Sequence, residues 1–179
     1  MLLCAEDAPF THKECSVAGI YFPSKDRLRS RKVISRSNSR STIKYPSWKS
    51  RRMIQCESKH ELAACLILDA DVLVDRFQEQ PCRIDYQTPA GEFMHYPDFL
   101  VHKKDGTKEL WEVKDESEVV NRDISFRSAV MSCLLTEYGY HYYLVSSKEL
   151  KENPRAYNSR LLLKYGRNEI SERETEYLF

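Results

Sequence analysis

The chain has 179 residues, of which 41 % are hydrophobic, so one domain with a buried core is expected. The net charge of +1 averages two opposite parts: residues 1–60 hold 13 Lys/Arg and 5 Asp/Glu, and the rest of the chain holds 15 and 22. No apolar run reaches the ~20 residues that span a bilayer, and the six cysteines show no Cys-x-x-Cys spacing. These features predict a cytoplasmic protein with free thiols, no structural zinc site and no membrane partner.

The first predicted segment is a basic arm over residues 1–52. Between Lys25 and Arg52 the sequence has eleven basic residues and one acidic residue, and its Ser-Arg repeats can bury little surface. This composition favours an extended arm that binds a polyanion, with a solvated, flexible terminus as the alternative. Tyr45, Trp48 and Met53 interrupt the arm; we expect them to dock on the body, and stacking on nucleic acid is the alternative.

A buried helix is predicted over residues 58–71. Ser58 is a suitable N-cap, and Glu61 follows three residues later, as in a capping box. Helical spacing puts Glu61 on one stripe with Ala64 and Leu68. A carboxylate on an inward stripe needs a partner or a metal ion, so Glu61 either caps its own helix or belongs to a site.

The elements that follow predict an α/β fold. Strands are expected over residues 72–77 and 83–86, and a hairpin of residues 93–101 and 108–114 turns at Asp105-Gly106, so that paired numbers sum to roughly 210–212. A helix that stops at Gly139, a strand over residues 140–145 buried on both faces, and short helices in a tail over residues 151–179 complete the chain. This order predicts a mixed central β-sheet flanked by helices.

The hairpin brings charged residues together. Asp98 lies opposite Glu112, Val113 or Lys114 in this register, and Glu112 shares a face with Lys114. Asp98 and Glu112 can bind a hard cation such as Mg²⁺, with Glu61 completing the site, and Lys114 suits an attacking water or a scissile phosphate. The set predicts phosphodiester hydrolysis.

Other interpretations of these residues stay open. Asp98 can simply begin a strand, and Glu112 and Lys114 can form a surface pair, although charges within apolar strands favour a site. His95 and His102 flank the Asp98 strand. We interpret both as surface histidines, with substrate contact as the alternative.

Tyr96-Pro97-Asp98-Phe99-Leu100-Val101 together with Glu112-Val113-Lys114 resembles the PD-(D/E)xK nuclease motif. The sequence is more closely similar to the TnsA endonuclease subunit of Tn-seven-like heteromeric transposases. That family has a helix beginning like Glu57-Ser58-Lys59-His60-Glu61-Leu62, a stretch like Phe77-Gln78-Glu79-Gln80-Pro81, and a basic segment before the helix. The resemblance covers roughly residues 30–150 and implies a restriction-endonuclease-like core over residues 53–150.

The resemblance also implies an activity, cofactors and partners. The enzyme would be a Mg²⁺-dependent DNA endonuclease, with Mn²⁺ as a possible substitute, that cuts the 5′ ends of a transposon beside a TnsB-like DDE transposase and a TnsC-like AAA+ regulator. Glu61, Asp98, Glu112 and Lys114 would be catalytic, Asp98, Glu112, Glu61 and the carbonyl of Val113 would bind metal, and Gln80 would support the site. The basic arm would contact double-stranded DNA through Arg29, Arg31, Lys32, Arg36, Arg40, Lys44, Lys49, Arg51 and Arg52.

Two competing functions remain at this stage. One is a free-standing PD-(D/E)xK nuclease of restriction or phage type. The other is a DNA-binding scaffold with a silent site, against which the intact set of Glu61, Asp98, Glu112 and Lys114 argues. Longer family members carry a winged-helix-like domain after the nuclease core, and we expect only a short helical tail in its place.

Overall fold

The computed structural model describes residues 12–24, 27, 29–30, 42–151 and 155–166, which form nine strands and five α-helices. The strands are β1 (Ser16–Tyr21), β2 (Ile43–Ser47), β3 (Arg52–Cys56), β4 (Val74–Glu79), β5 (Arg83–Thr88), β6 (Gly91–His95), β7 (Phe99–Lys103), β8 (Lys108–Lys114) and β9 (His141–Ser146). The helices are α1 (Lys59–Ala70), α2 (Glu116–Val119), α3 (Arg122–Leu134), α4 (Ser147–Lys151) and α5 (Arg155–Tyr165).

The central sheet is mixed, as predicted. Its strand order is β4-β7-β8-β9, in which β4, β7 and β8 are antiparallel and β9 runs parallel to β8. In the β7–β8 hairpin, Phe99 pairs with Trp111 and His102 with Lys108, which is the predicted register. Gly106 has a φ of 91°, a conformation that glycine adopts without a steric cost. The hairpin therefore sets Asp98, just before β7, beside the end of β8.

Two strand predictions need correction. Residues 93–95 do not extend the β7–β8 hairpin: they lie in β6, which pairs with β5 in a separate sheet of order β1-β5-β6. Pro97 has no N–H for a sheet and separates β6 from β7. The strand predicted over residues 140–145 is not buried on both faces, because β9 is an edge strand with His141 and Tyr143 exposed.

The end of the predicted arm is a β-hairpin. β2 and β3 pair from Ile43↔Cys56 to Ser47↔Arg52, so an extended arm is the wrong prediction for residues 43–52. Tyr45 is buried and docks as expected, whereas Trp48 and Met53 are exposed. The rest of the predicted arm lies largely outside the described residues.

Asp69 at the end of α1 fixes this hairpin. Its buried carboxylate accepts hydrogen bonds from the Tyr45 hydroxyl at 2.7 Å and the Ser47 hydroxyl at 3.0 Å. The N–H groups of Trp48 and Lys49 donate to the same carboxylate, each over 3.1 Å. Four donors offset the cost of burying this charge, so the β2–β3 turn has a defined position on α1.

Helices cover both faces of the central sheet. One core packs α1, α4 and the β2–β3 hairpin on the sheet around Leu68, Phe99 and Val113. The other core joins α3 and β5 to the opposite face around Leu110 and Met131. None of the helices in the described part of the chain has the length and apolar character that a membrane crossing requires.

Candidate active site

Asp98 is fixed by main-chain contacts to β8. Its N–H donates to the carbonyl oxygen of Trp111 over 2.8 Å, and its Oδ2 accepts a hydrogen bond from the N–H of Val113 over 2.8 Å. The pKa of Asp98 is raised to about 7 by burial first and by the charges of Glu61 and Glu112 in addition, against the opposing effects of the Val113 hydrogen bond and Lys114. Negative charge is therefore crowded around this carboxyl group.

Glu61 lies in the first turn of α1 and is 8 % exposed. The Ser58 hydroxyl caps the helix by accepting from the N–H of Glu61 at 3.0 Å, while the Glu61 carboxylate accepts from the N–H of Glu57 at 2.8 Å. Burial raises the pKa of Glu61, and Lys114 opposes this shift. Glu61 thus takes part in the helix start and also acts electrostatically on Asp98 and Lys114, so the two interpretations are compatible.

Glu112 is buried at 3 % exposure and is held at both oxygens. Its Oε1 accepts from the Arg127 guanidinium at 2.6 Å, and its Oε2 accepts from the Tyr142 hydroxyl at 2.5 Å. Burial alone would raise its pKa, but the Tyr142 hydrogen bond and the positive charges of Arg127 and Lys114 help to lower the pKa of Glu112 below its usual value. Glu112 is therefore an ionised carboxylate at neutral pH.

Lys114 points towards the same carboxylate. Its Nζ lies 3.4 Å from Oε1 of Glu112, with 27 % of the side chain exposed. The predicted shared face of Glu112 and Lys114 is confirmed. The ammonium group thus lies between a buried acid and solvent.

His95 is not a surface histidine, and that prediction is wrong. It is 6 % exposed at the end of β6, and its Nε2 lies 2.9 Å from the Tyr142 hydroxyl. Burial lowers the pKa of His95 to about 4, so the ring is neutral at pH 7. The Tyr142 hydroxyl has a single proton, which it donates to Glu112. The hydroxyl oxygen therefore accepts a hydrogen bond from His95, so the neutral imidazole carries its one N–H proton on Nε2.

Arg127 and Tyr142 were not found by sequence reasoning. Arg127 lies on α3 and Tyr142 on β9, and neither belongs to a local motif with Glu112. The Nε of Arg127 is buried and makes no hydrogen bond within the described residues. Only the packing of α3 on the sheet and the parallel β8–β9 pairing bring these side chains to Glu112, so no spacing signal could have identified them.

Gln80 contacts Asp98 through its main chain. Its N–H donates to the carbonyl oxygen of Asp98 over 2.8 Å, and its own carbonyl oxygen accepts from the N–H and hydroxyl of Ser30. Gln80 has a φ of 48°, a left-handed conformation that a non-glycine residue adopts at a cost of about 1 kcal/mol or more. This conformation turns the chain from β4 towards β5 beside Asp98.

The donor types at this site suit a hard cation. Asp98, Glu112 and Glu61 are carboxylates, and the pKa of Asp98 is raised by the other two, a repulsion that a divalent cation would relieve. Within the described residues, however, no three His, Cys, Asp or Glu side chains are gathered closely enough to hold a metal ion. Arg127 and Tyr142 each hold one oxygen of Glu112.

Several basic residues predicted to bind DNA are engaged within the protein. Arg52 forms a two-pronged ion pair with buried Glu79, and Arg29 donates to the same carboxylate at 2.6 Å. Lys49 donates to main-chain carbonyls at the end of α1, whereas Lys44 and Arg51 are exposed. The other four lie outside the described residues: Arg31, Lys32, Arg36 and Arg40. DNA binding by this set stays a prediction.

Comparison with known families identifies the central part of the chain. Residues 71–155 match the model described as TnsA-like endonuclease N terminal. These residues are a TnsA-like endonuclease domain. The match contains Gln80, Asp98, Glu112 and Lys114, while Glu61 precedes it. No curated protein matches the chain.

The TnsA-like domain has a restriction-endonuclease-like fold. Its matched segment begins at the end of α1 and includes the whole central sheet β4-β7-β8-β9 and helix α3. The mixed sheet with helices on both faces agrees with the architecture implied by the motif. The domain is therefore a nuclease of the TnsA type, and its three motif residues lie at one end of the β7–β8 hairpin.

Proposed function

We propose that the chain is a Mg²⁺-dependent DNA endonuclease that cuts the 5′ ends of a transposon, the non-transferred strands, in cut-and-paste transposition. The observation that carries this proposal is the match of residues 71–155 to the TnsA-like endonuclease model, with Asp98, Glu112 and Lys114 inside the matched segment. The contact of Lys114 with Glu112 and the electrostatic coupling of Asp98 to Glu61 support a shared site.

Asp98, Glu112, Glu61 and the carbonyl of Val113 would hold Mg²⁺, or Mn²⁺ in its place. The cation would supply Lewis acidity towards the scissile phosphate and offset its developing charge. These ligands would come from α1 and from both strands of the β7–β8 hairpin. Release of the Arg127 contact would free Oε1 of Glu112 for this role.

The side chains of the chain itself would orient the reaction. Lys114 would contact the scissile phosphate or position the attacking water, because its ammonium group is partly exposed beside the carboxylates. Tyr142 would fix the carboxylate plane of Glu112 through Oε2, and Arg127 would keep the carboxylate ionised until the cation takes its place at Oε1. Gln80 would keep Asp98 in place through its main-chain hydrogen bond.

The proposed partners follow from the TnsA-like domain. Double-stranded DNA at transposon ends would be the substrate, a TnsB-like DDE transposase would cut and join the 3′ ends, and a TnsC-like AAA+ regulator would connect both to target selection. A free-standing nuclease of the same fold remains the second candidate, because the same residues would serve it.

Strand mapping on a sequencing gel tests the proposal. The chain and a DDE transposase would be incubated with the transposase's terminal-repeat DNA, labelled on either strand, with Mg²⁺ or with EDTA. We expect Mg²⁺-dependent cuts on the 5′ side of each end that need both proteins and disappear in Asp98→Ala. Cleavage of unrelated DNA by the chain alone would favour the free-standing nuclease. Cleavage that persists in Asp98→Ala would contradict the site.

A further inference from the structure

A basic cleft, separate from the candidate active site, lies at the outer edge of the central sheet. A cleft of about 400 Å³ opens between the segment after β1, the β2–β3 turn and the edge strand β4. Four of the residues that line it are cationic, and none of the described lining residues is a carboxylate. The cations are Arg27, Lys49, Arg52 and Arg76. Lys49 and Arg52 belong to the residues that the resemblance assigns to DNA contact, whereas it assigns no role to Arg27 or Arg76.

The positive charge of the cleft is only partly balanced. Buried Glu79 meets two guanidinium groups, those of Arg52 and Arg29, so this cluster keeps a net positive charge. Arg76 pairs at 2.9 Å with Asp75, and both side chains are more than half exposed, so the pair contributes little and can open at small cost. An anion would compensate the excess charge.

His102 also lies in a positive electrostatic environment. Its Nδ1 lies 3.5 Å from the Arg76 guanidinium in the cleft. Burial lowers the pKa of His102, and the nearby charges of Arg76 and Lys108 lower it further, against a weaker opposing effect of Asp75. The imidazole is therefore a neutral hydrogen-bonding group beside a cation, which suits the oxygen of a phosphodiester.

The position of the cleft relates it to the candidate active site. Arg76 lies in β4, and Gln80 directly follows the end of this strand. The two residues are four positions apart, which corresponds to a distance of roughly 13 Å at ~3.3 Å per residue. Gln80 donates to the main chain of Asp98. Since phosphates of one DNA strand follow each other every ~3.4 Å along the axis, the cleft and Asp98 are about four nucleotides apart along that direction.

We propose that this cleft binds phosphate groups of the DNA backbone, a few nucleotides from the phosphate that is cut, with Arg27 and Arg76 as the contacts. This inference rests on the proposed function, because it takes the polyanion to be the DNA substrate. Arg52 and Lys49 shape the cleft and add to its potential, while Arg27 and Arg76 have the exposed groups that reach a ligand.

Salt-dependent DNA binding tests the inference. Fluorescence anisotropy of a fluorescein-labelled duplex would be measured with the full chain in EDTA over a range of KCl concentrations, for wild type and for Arg27→Gln with Arg76→Gln. Losing two phosphate contacts should weaken binding roughly tenfold or more and reduce the slope of log K against log [KCl] by about 1.8. Arg76→Lys should keep the slope, and Arg160→Gln on exposed α5 is the matched control.

An unchanged affinity and salt slope in the double variant would overturn the inference, even if the wild type cleaves DNA. A reduced slope in a chain that cuts no DNA would support the cleft and count against the nuclease proposal instead. Inorganic phosphate is the second probe. If it stabilises only the wild type against thermal unfolding while both proteins bind duplex equally, the cleft is a small-anion site and the DNA assignment is wrong.

Discussion

At the scale of single residues, Asp98 and Glu112 have opposite environments although both are poorly exposed acids of one hairpin. Burial and two acidic neighbours raise the pKa of Asp98 to about 7, and its one main-chain donor opposes this rise only in part. Glu112 has Arg127, Tyr142 and Lys114 around it, so its pKa is lowered. At neutral pH the site thus has one carboxylate that is ionised, that of Glu112, and one whose ionisation costs free energy, that of Asp98.

The raised pKa of Asp98 predicts how stability changes with pH in EDTA. The unfolded carboxyl group has a pKa of about 3.9, so between pH 4 and 7 the folded protein binds more protons, and stability falls as the pH rises. Asp98→Asn should remove this contribution, so its loss of stability from pH 5 to pH 8 should be smaller than that of wild type by about 1–3 kcal/mol. Urea unfolding at both pH values measures it.

Glu92→Gln on the exposed strand β6 controls for the loss of one carboxylate. It should leave the wild-type difference between the two pH values unchanged. If Asp98→Asn shows the same pH dependence as this control, then Asp98 ionises normally in the folded protein and the crowding of negative charge is refuted.

Tyr142 is predicted to act by positioning Glu112. Tyr142→Phe removes the hydroxyl that Glu112 and His95 share, at little change in volume. We expect the nicking rate to fall about 10–100-fold and the Mg²⁺ concentration for half-maximal rate to rise, as for other second-sphere losses. Tyr143→Phe changes an exposed neighbour on the same strand and should leave both unaltered. Equal effects of the two variants would show that the hydroxyl is irrelevant.

At the scale of elements, the basic N-terminal part is joined to the nuclease core through β4. Glu79 on this strand is 1 % exposed and receives Arg52 from β3 and Arg29 from the preceding segment. The next residue, Gln80, connects to Ser30 and to Asp98. A displacement of the basic part would therefore move the end of β4, which lies next to Asp98.

The buried ion pair should matter far more than the exposed one on the same strand. Glu79→Gln leaves two guanidinium groups without their carboxylate and should lower the free energy of unfolding by about 2–4 kcal/mol. Asp75→Asn breaks the exposed pair with Arg76 and should cost less than about 1 kcal/mol. Chemical denaturation compares them. Similar values for both variants would mean that Glu79 does not fasten the hairpin to β4.

At the scale of the whole molecule, the candidate site is assembled from α1 and the β7–β8 hairpin and is supported by α3, β6 and β9. The hairpin part was predictable because its register follows from a local turn, Asp105-Gly106, and from period-2 alternation. Glu61 was reachable from helical spacing and a cap. These residues depend on short-range rules.

The supporting residues could not be predicted, since their positions depend on long-range packing. Arg127, Tyr142 and His95 come from three different elements, and no spacing relates them to Glu112. The same reason explains the error over residues 43–52. Their composition resembles a solvated arm, but the buried carboxylates of Asp69 and Glu79, distant in sequence, hold them in a hairpin.

The proposal that the charged cluster at the end of the β7–β8 hairpin cuts DNA can be tested by mutation. Its most direct measurement is the nicking of labelled duplex DNA by the chain with its transposase in Mg²⁺, comparing Lys114→Ala with Lys108→Ala at the opposite end of β8. We expect a loss of at least about 100-fold for Lys114→Ala and a rate within about twofold of wild type for Lys108→Ala. Nicking by Lys114→Ala at the wild-type rate would contradict the proposal.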